Sequence, residues 1–158
     1  AFKALRLLLE QQYMAKCSSC RVTNGVRVDV TSSFESMSSG LREDKVYVFS
    51  YRVCITNLRK DPVRVLGRSW TIKNDQGQML VHVPLEPNNA IVGQQPTLPP
   101  GHAFEYFSGT DLNTPAGLQH GALLVDVLGD GRTQPPTERM VAEIAPFALL
   151  HPTALSGS

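Results

Sequence analysis

Apolar and polar residues alternate most strictly from Tyr47 to Thr56. Tyr47, Phe49, Tyr51, Val53 and Ile55 share one face there, and Ser50, Arg52, Cys54 and Thr56 the other. A period of two is that of an extended strand with one buried face. Val26, Val28 and Val30 keep the same phase against Arg27 and Asp29. Further strands are expected over 63–73, which carries the lone Trp70, and over 79–83 after a hairpin turn at Asn74-Asp75-Gln76-Gly77. Three more follow, at 103–108, 118–127 and 139–144. The Ser-rich stretch Ser32 to Ser39 and the charged run Arg42 to Lys45 read as a connection, and Gly109 to Gly117 as a loop. Short strands at regular spacing, with turn signals between them and no interleaved helix, predict an all-β antiparallel sandwich over 24–150.

Two regions break the alternation. Residues 1–16 contain neither Gly nor Pro, and Phe2, Leu5, Leu9 and Tyr13 recur three or four positions apart with Leu8 beside them. That spacing predicts an amphipathic helix, packed on its own domain or docked on another chain. Residues 17–23 then read as a linker. The second break is 84–101, where Pro84, Pro87, Pro96, Pro99, Pro100, Gly93 and Gly101 leave room for no long regular element. A loop of that length in a compact domain is usually functional. Residues 151–158 read as a frayed tail.

Composition narrows the function classes. The 158 residues are 42% hydrophobic and 18% charged, with a net charge of +1. A chain of this kind buries a core, and it has no strong field to hold nucleic acid or an anionic membrane. Apolar runs such as Leu7-Leu8-Leu9 are far short of the roughly 20 residues that span a bilayer. Three cysteines leave one thiol over in any disulfide scheme. The chain opens on Ala1 rather than Met. It therefore reads as a processed product, with a mitochondrion or chloroplast expected ahead of the cytoplasm.

Candidate chemistry is sparse. Cys17 and Cys20 have the spacing of a chelating or redox pair, but zinc needs four ligands, and Cys54, His82, His102, His120 and His151 add none at ligand spacing. An exposed linker pair is the better reading of Cys17 and Cys20. No Gly-x-Ser-x-Gly elbow announces a nucleophile. Glu105, between Phe104 and Tyr106, and Asp126, in an apolar strand, are expected on outward faces rather than in an acid–base pair. Arg52, Arg59, Lys60, Arg64 and Arg68 make a modest basic cluster. A solvated face explains it better than a weak nucleic-acid contact. Asn88-Asn89-Ala90-Ile91-Val92-Gly93 holds one glycine and does not open a helix, so it lacks the features of a phosphate cradle.

A run of ordered motifs resembles the ApaG domain family. It begins with Tyr47-Val48-Phe49-Ser50-Tyr51-Arg52-Val53-Cys54-Ile55-Thr56-Asn57 and Val65-Leu66-Gly67-Arg68-Ser69-Trp70-Thr71-Ile72. It continues with Ile91-Val92-Gly93-Gln94-Gln95-Pro96, Leu98-Pro99-Pro100-Gly101, Phe104-Glu105-Tyr106-Phe107-Ser108-Gly109, Thr114-Pro115-Ala116-Gly117 and Ile144-Ala145-Pro146-Phe147-Ala148-Leu149. The resemblance implies an immunoglobulin- or fibronectin-III-like β-sandwich that acts as a protein-interaction module, with no catalytic set. Bacterial members carry a Gly-x-Gly-x-x-Gly run linked to pyrophosphate. Here Asn88 and Ala90 stand in place of its first two glycines, and only Gly93 remains. An alanine forced to positive φ there would be strained.

The expectation is therefore a non-enzymatic adaptor or complex subunit without a cofactor. It would dock on a protein partner through Asn88, Asn89, Ile91, Val92, Gly93, Gln94 and Gln95 and through Phe2, Leu5 and Leu9 of the helix. Aspartates at Ile91 and Val92 would then abolish association without lowering the melting temperature. The alternative is a nucleotide-polyphosphate and Mg²⁺ module that uses Gly93, Arg64 and Arg68.

Overall fold

The computed structural model describes residues 4, 15–39, 45–129 and 138–155. Among the described residues nine strands run in chain order: β1 (Ser18–Thr23), β2 (Val26–Ser39), β3 (Lys45–Asn57), β4 (Val63–Asn74), β5 (Met79–Val83), β6 (Thr97–Leu98), β7 (Ala103–Leu112), β8 (Ala116–Val127) and β9 (Glu138–Leu150). One sheet has the order β1-β2-β3-β7 and the other β5-β4-β8-β9, with β6 paired to β4. Every pairing is antiparallel. The two sheets form the expected sandwich.

The alternation fixes the core. Tyr47, Phe49, Tyr51, Val53 and Ile55 of β3 all point inward, with Val26, Val28 and Val30 of β2 beside them. Against them pack Trp70 and Ile72 of β4, Leu123 and Val125 of β8, and Ile144, Phe147 and Leu149 of β9. Trp70 sits between Tyr51 and Phe147, with ring centroids 5.4 and 6.0 Å away at steep angles, the edge-to-face arrangement that aromatic quadrupoles favour. Fully burying one such side chain stabilises the fold by about 1.5–3 kcal/mol.

Several expectations need correction. Residues 18–23 are no linker: Ser18–Thr23 forms β1, paired residue for residue with Val26–Thr31. The Ser-rich stretch is strand to Ser39, with a bulge between Phe34 and Ser36. β7 continues to Leu112, and β9 runs well beyond Ile144. Asp126 alternates with the core residues Val125 and Val127 and so lies on the outer face as expected, but it is buried there, because Arg139 reaches it at 2.8 Å and compensates its charge. His151 is packed rather than frayed, with its ring against Phe34 and Tyr47. The helix expected over 1–16, with Phe2, Leu5 and Leu9, lies outside the described residues except at positions 4, 15 and 16.

The two sides of the sandwich are closed differently. On one side β1 lies against β9: Ser19 Oγ donates to the Ala145 carbonyl, Arg21 pairs with Glu143, and the Glu143 amide donates to Thr23 Oγ1. Ser32 Oγ adds a bond to the Ala148 carbonyl. On the other side, β7 faces β5 and the long loop.

Candidate functional site

β5 covers β4 only from Trp70 to Lys73, and β6 reaches only Val63 and Arg64. Between them the edge of β4 needs partners, because unpaired buried backbone groups are costly. The loop supplies them: the Val65 amide donates to the Pro96 carbonyl and the Arg68 amide to that of Asn89. Gly67 permits the approach, since a methyl there would come within 2.0 Å of the Glu86 carbonyl oxygen. Only a residue without Cβ fits beneath the loop.

Side chains complete the attachment. Arg68 Nη1 donates to the carbonyls of Asn89 and Ala90 at 3.1 and 2.7 Å. Gln95 Nε2 donates to those of Leu66 and Pro87, while its Oε1 accepts from Arg64 Nη2 at 3.0 Å. Asn89 Nδ2 donates to the Pro84 carbonyl. Arg64, Arg68 and Gln95 thus act as pins, a role that the motif reading misses because nothing in their spacing shows which carbonyls they meet. The basic cluster disperses as well: Arg52 pairs with Glu105, and Arg59 with Asp61.

At the loop's tip Ile91 and Gln94 exchange backbone bonds of 3.0 and 2.7 Å across Val92 and Gly93. Both central residues have positive φ, 42° and 77°, as in the tightest hairpin turns. Strain therefore falls on Val92 rather than Ala90, and for a β-branched residue this is a genuine outlier. Asn24-Gly25, between β1 and β2, adopts nearly the same angles, 46° and 82°, with the residues that favour them.

The loop residues named from sequence divide into two groups. Ile91 is fully buried in the core and cannot touch a partner, which overturns its place in the contact set. Asn89 and Gln95 are half-buried pins. Asn88, Val92, Gly93 and Gln94 are exposed, Val92 by 52%.

The cysteines are also placed. Cys17 is buried and Cys20 exposed, so they do not form the exposed pair expected from their spacing. Among the described residues no group of His, Cys, Asp and Glu is arranged to hold a metal. Cys20 lies opposite Asp29, which lies opposite Cys54. A hydrogen bond to the Asp29 carboxylate, then desolvation, raises the Cys20 thiol above its ordinary pKa, which makes it a poorer nucleophile than its exposure implies.

Polar groups lie where sequence reading places none. Gln119 is fully buried with neither end of its amide paired, and Tyr106 Oη and Trp70 Nε1 are buried without partners. Burial, then the nearby Tyr51, pushes the Tyr106 phenol well above its usual range. Gln119 stands in phase with Leu123 and Val125, the one signal that could have found it.

The ApaG domain model matches residues 38–126. Protein ApaG of Shewanella halifaxensis is 38% identical over 112 residues, 70% of this chain and 84% of that one. Protein ApaG of an Enterobacter species is 38% identical over 94 residues, 59% of this chain and 72% of its own. A Bordetella pertussis protein solved under the name ApaA superposes with a TM-score of 0.65 at 33% identity, covering 80% of this chain and 94% of that structure. A structural-genomics crystal structure superposes with a TM-score of 0.70 at 32% identity, covering 82% and 89%. With the domain model matching more than half of its residues, the chain belongs to the ApaG domain family.

Proposed function

We propose that this domain is a non-enzymatic protein-interaction module, an adaptor or subunit of a larger assembly, which presents the tip of the 84–96 loop to its partner. One observation carries the reading. The loop is fixed from beneath by Arg64, Arg68 and Gln95, and it holds a strained, half-exposed Val92 outward beside Asn88 and Gln94. A segment ordered before contact loses little entropy on binding. Backbone strain retained at an exposed position points from the outlier to a use for it. The polyphosphate reading would need Arg64 and Arg68 released from the loop they hold, so it has less support.

The test uses Val92→Asn, which removes the apolar tip and suits the turn. Proteins captured from native extract by the two forms are compared by quantitative mass spectrometry. Loss of a defined set with the variant supports the reading. An identical set, with the variant folded, overturns the loop tip as the interface.

A further inference from the structure

β7 is a long edge strand with no other strand bonded to its outer side among the described residues. β1, at the far end of the same sheet, is tied to β9, and the edge of β4 is closed by the loop and β6. β5 is only five residues long. β7 has ten residues, and its backbone pairs with β3 alone. Natural sheets blunt exposed edges with proline, charged side chains, lysine above all, bulges or short length. β7, AFEYFSGTDL, has no proline, lysine or bulge, and its only charges are Glu105 and Asp111.

Its side chains are specific too. Glu105, Phe107, Gly109 and Asp111 alternate along the outward face, and Phe107 is 65% exposed at mid-strand. Glu105 is already held by Arg52 at 2.8 Å, whereas Asp111 has no ion pair among the described residues. Beside the C-terminal half of β7 opens a cleft of about 220 Å³, lined by Val46, Leu80, Val81, Asp111, Leu112 and Asn113. A strand laid on β7 would send alternate side chains outward over Phe107 and Asp111 and inward toward this cleft.

We infer that β7 is a receptor edge for an extended peptide of a partner protein, recognised by backbone pairing, a basic residue set against Asp111 and apolar residues over Phe107 and in the cleft. A second copy of this chain fits less well. Two β7 strands overlapping about Ser108 would set Glu105 against Asp111 of the other copy, and like charges directly opposite destabilise a pair. The inference concerns a different surface from the loop tip, and it holds if that tip proves idle.

The test selects random phage-displayed peptides on the immobilised whole chain and measures the winners by fluorescence anisotropy. Winners should alternate apolar residues with a Lys or Arg. Phe107→Lys should weaken them by about tenfold or more, and Val92→Asn should leave them unchanged. Selection on Asp111→Lys should yield acidic residues in place of basic ones. Both variants are at exposed positions, and circular dichroism confirms that they are folded. No enrichment, winners that bind Phe107→Lys equally well, or an unchanged charge preference on Asp111→Lys would overturn the inference. So would a dimer seen by sedimentation that Phe107→Lys dissolves, since the occupant would then be a second copy.

Discussion

Ile91 and Val92 are adjacent in the loop, yet the structure assigns them opposite energetic roles. Ile91 is fully buried in the core, while Val92 is half-exposed with φ at +42°. Truncating a buried isoleucine to alanine costs about 2–5 kcal/mol in lost transfer energy and cavity. In a domain of this size each kcal/mol is worth about 2–4 °C, so Ile91→Ala with a cost of about 3 kcal/mol should melt roughly 6–12 °C lower. Val92→Asn should move the other way. Left-handed backbone costs a β-branched residue about 1–2 kcal/mol, whereas Asn-Gly is the pair this kind of turn prefers and the pair the protein itself uses at Asn24-Gly25 with nearly the same angles. A gain of about 0.5–1 kcal/mol is expected once the small apolar contact of Val92 is subtracted. Urea denaturation followed by tryptophan fluorescence of Trp70, with thermal melts, gives the order Val92→Asn above wild type above Ile91→Ala. If Ile91→Ala melts with wild type, or Val92→Asn melts several degrees below it, the assignment of burial and strain in this loop is wrong.

Three further predictions follow from the unpartnered and shifted groups. Gln119→Met keeps the volume and removes an unpaired buried amide, so it should stabilise by about 1–3 kcal/mol in urea titrations; a loss would mean that the amide is bonded through ordered water. Burial raises the Tyr106 phenol, so its contribution is present below the unfolded phenol pKa and declines as pH rises above about 10. Tyr106→Phe should flatten that alkaline decline, and melts that lose stability equally above pH 10 in both forms would exclude Tyr106 as its source. The bond to Asp29 keeps the Cys20 thiol protonated, so Asp29→Asn should speed its alkylation by iodoacetamide near pH 8, read by peptide mass spectrometry against Cys54; an unchanged rate would place the cause elsewhere.

The sandwich was legible because its core residues obey a period of two: every inward residue expected of β3 is inward. What could not be read was anything set by a partner distant in sequence. The segment that reads as a linker, Ser18–Thr23, has only Val22 and Thr23 as strand formers, and it is a strand because β2 offers it an edge and β9 accepts from the Ser19 hydroxyl and donates to that of Thr23. Ile91 reads as a loop residue between turn formers, but the close approach at Gly67 draws the loop against β4 and carries Ile91 inside. Asp126 reads as a solvated outer-face residue, and it is the outer-face position but a buried one, because Arg139, thirteen residues later, covers it from the neighbouring strand. The motif with Gly93 points to the right loop, but Arg64 and Arg68, which read as a solvated face or, in the alternative, as phosphate ligands, instead hold the Gln95 side chain and the carbonyls of Asn89 and Ala90.

That assignment bears on what the loop can do. Where a glycine-rich loop leaves amides free for an anion, here Arg68 and Gln95 occupy the loop's carbonyls from within, Arg64 holds the Gln95 side chain, and the residue held out at the tip is a valine. A phosphate would meet an apolar side chain first and would have to compete with intramolecular bonds for both guanidinium groups, an exchange that returns little in water. An apolar patch on a partner would meet Val92 already extended and would disturb none of those bonds. The β7 edge lies on the same side of the sandwich, opposite the side sealed by β1 and β9. Both surfaces therefore lie on the side away from β1 and β9. A partner that engaged the tip and added a strand to β7 would join two weak contacts on one rigid body. Its affinity would then depend on the pins: Arg68→Ala, by freeing the loop, should weaken binding at the tip while leaving peptide binding at β7 unchanged.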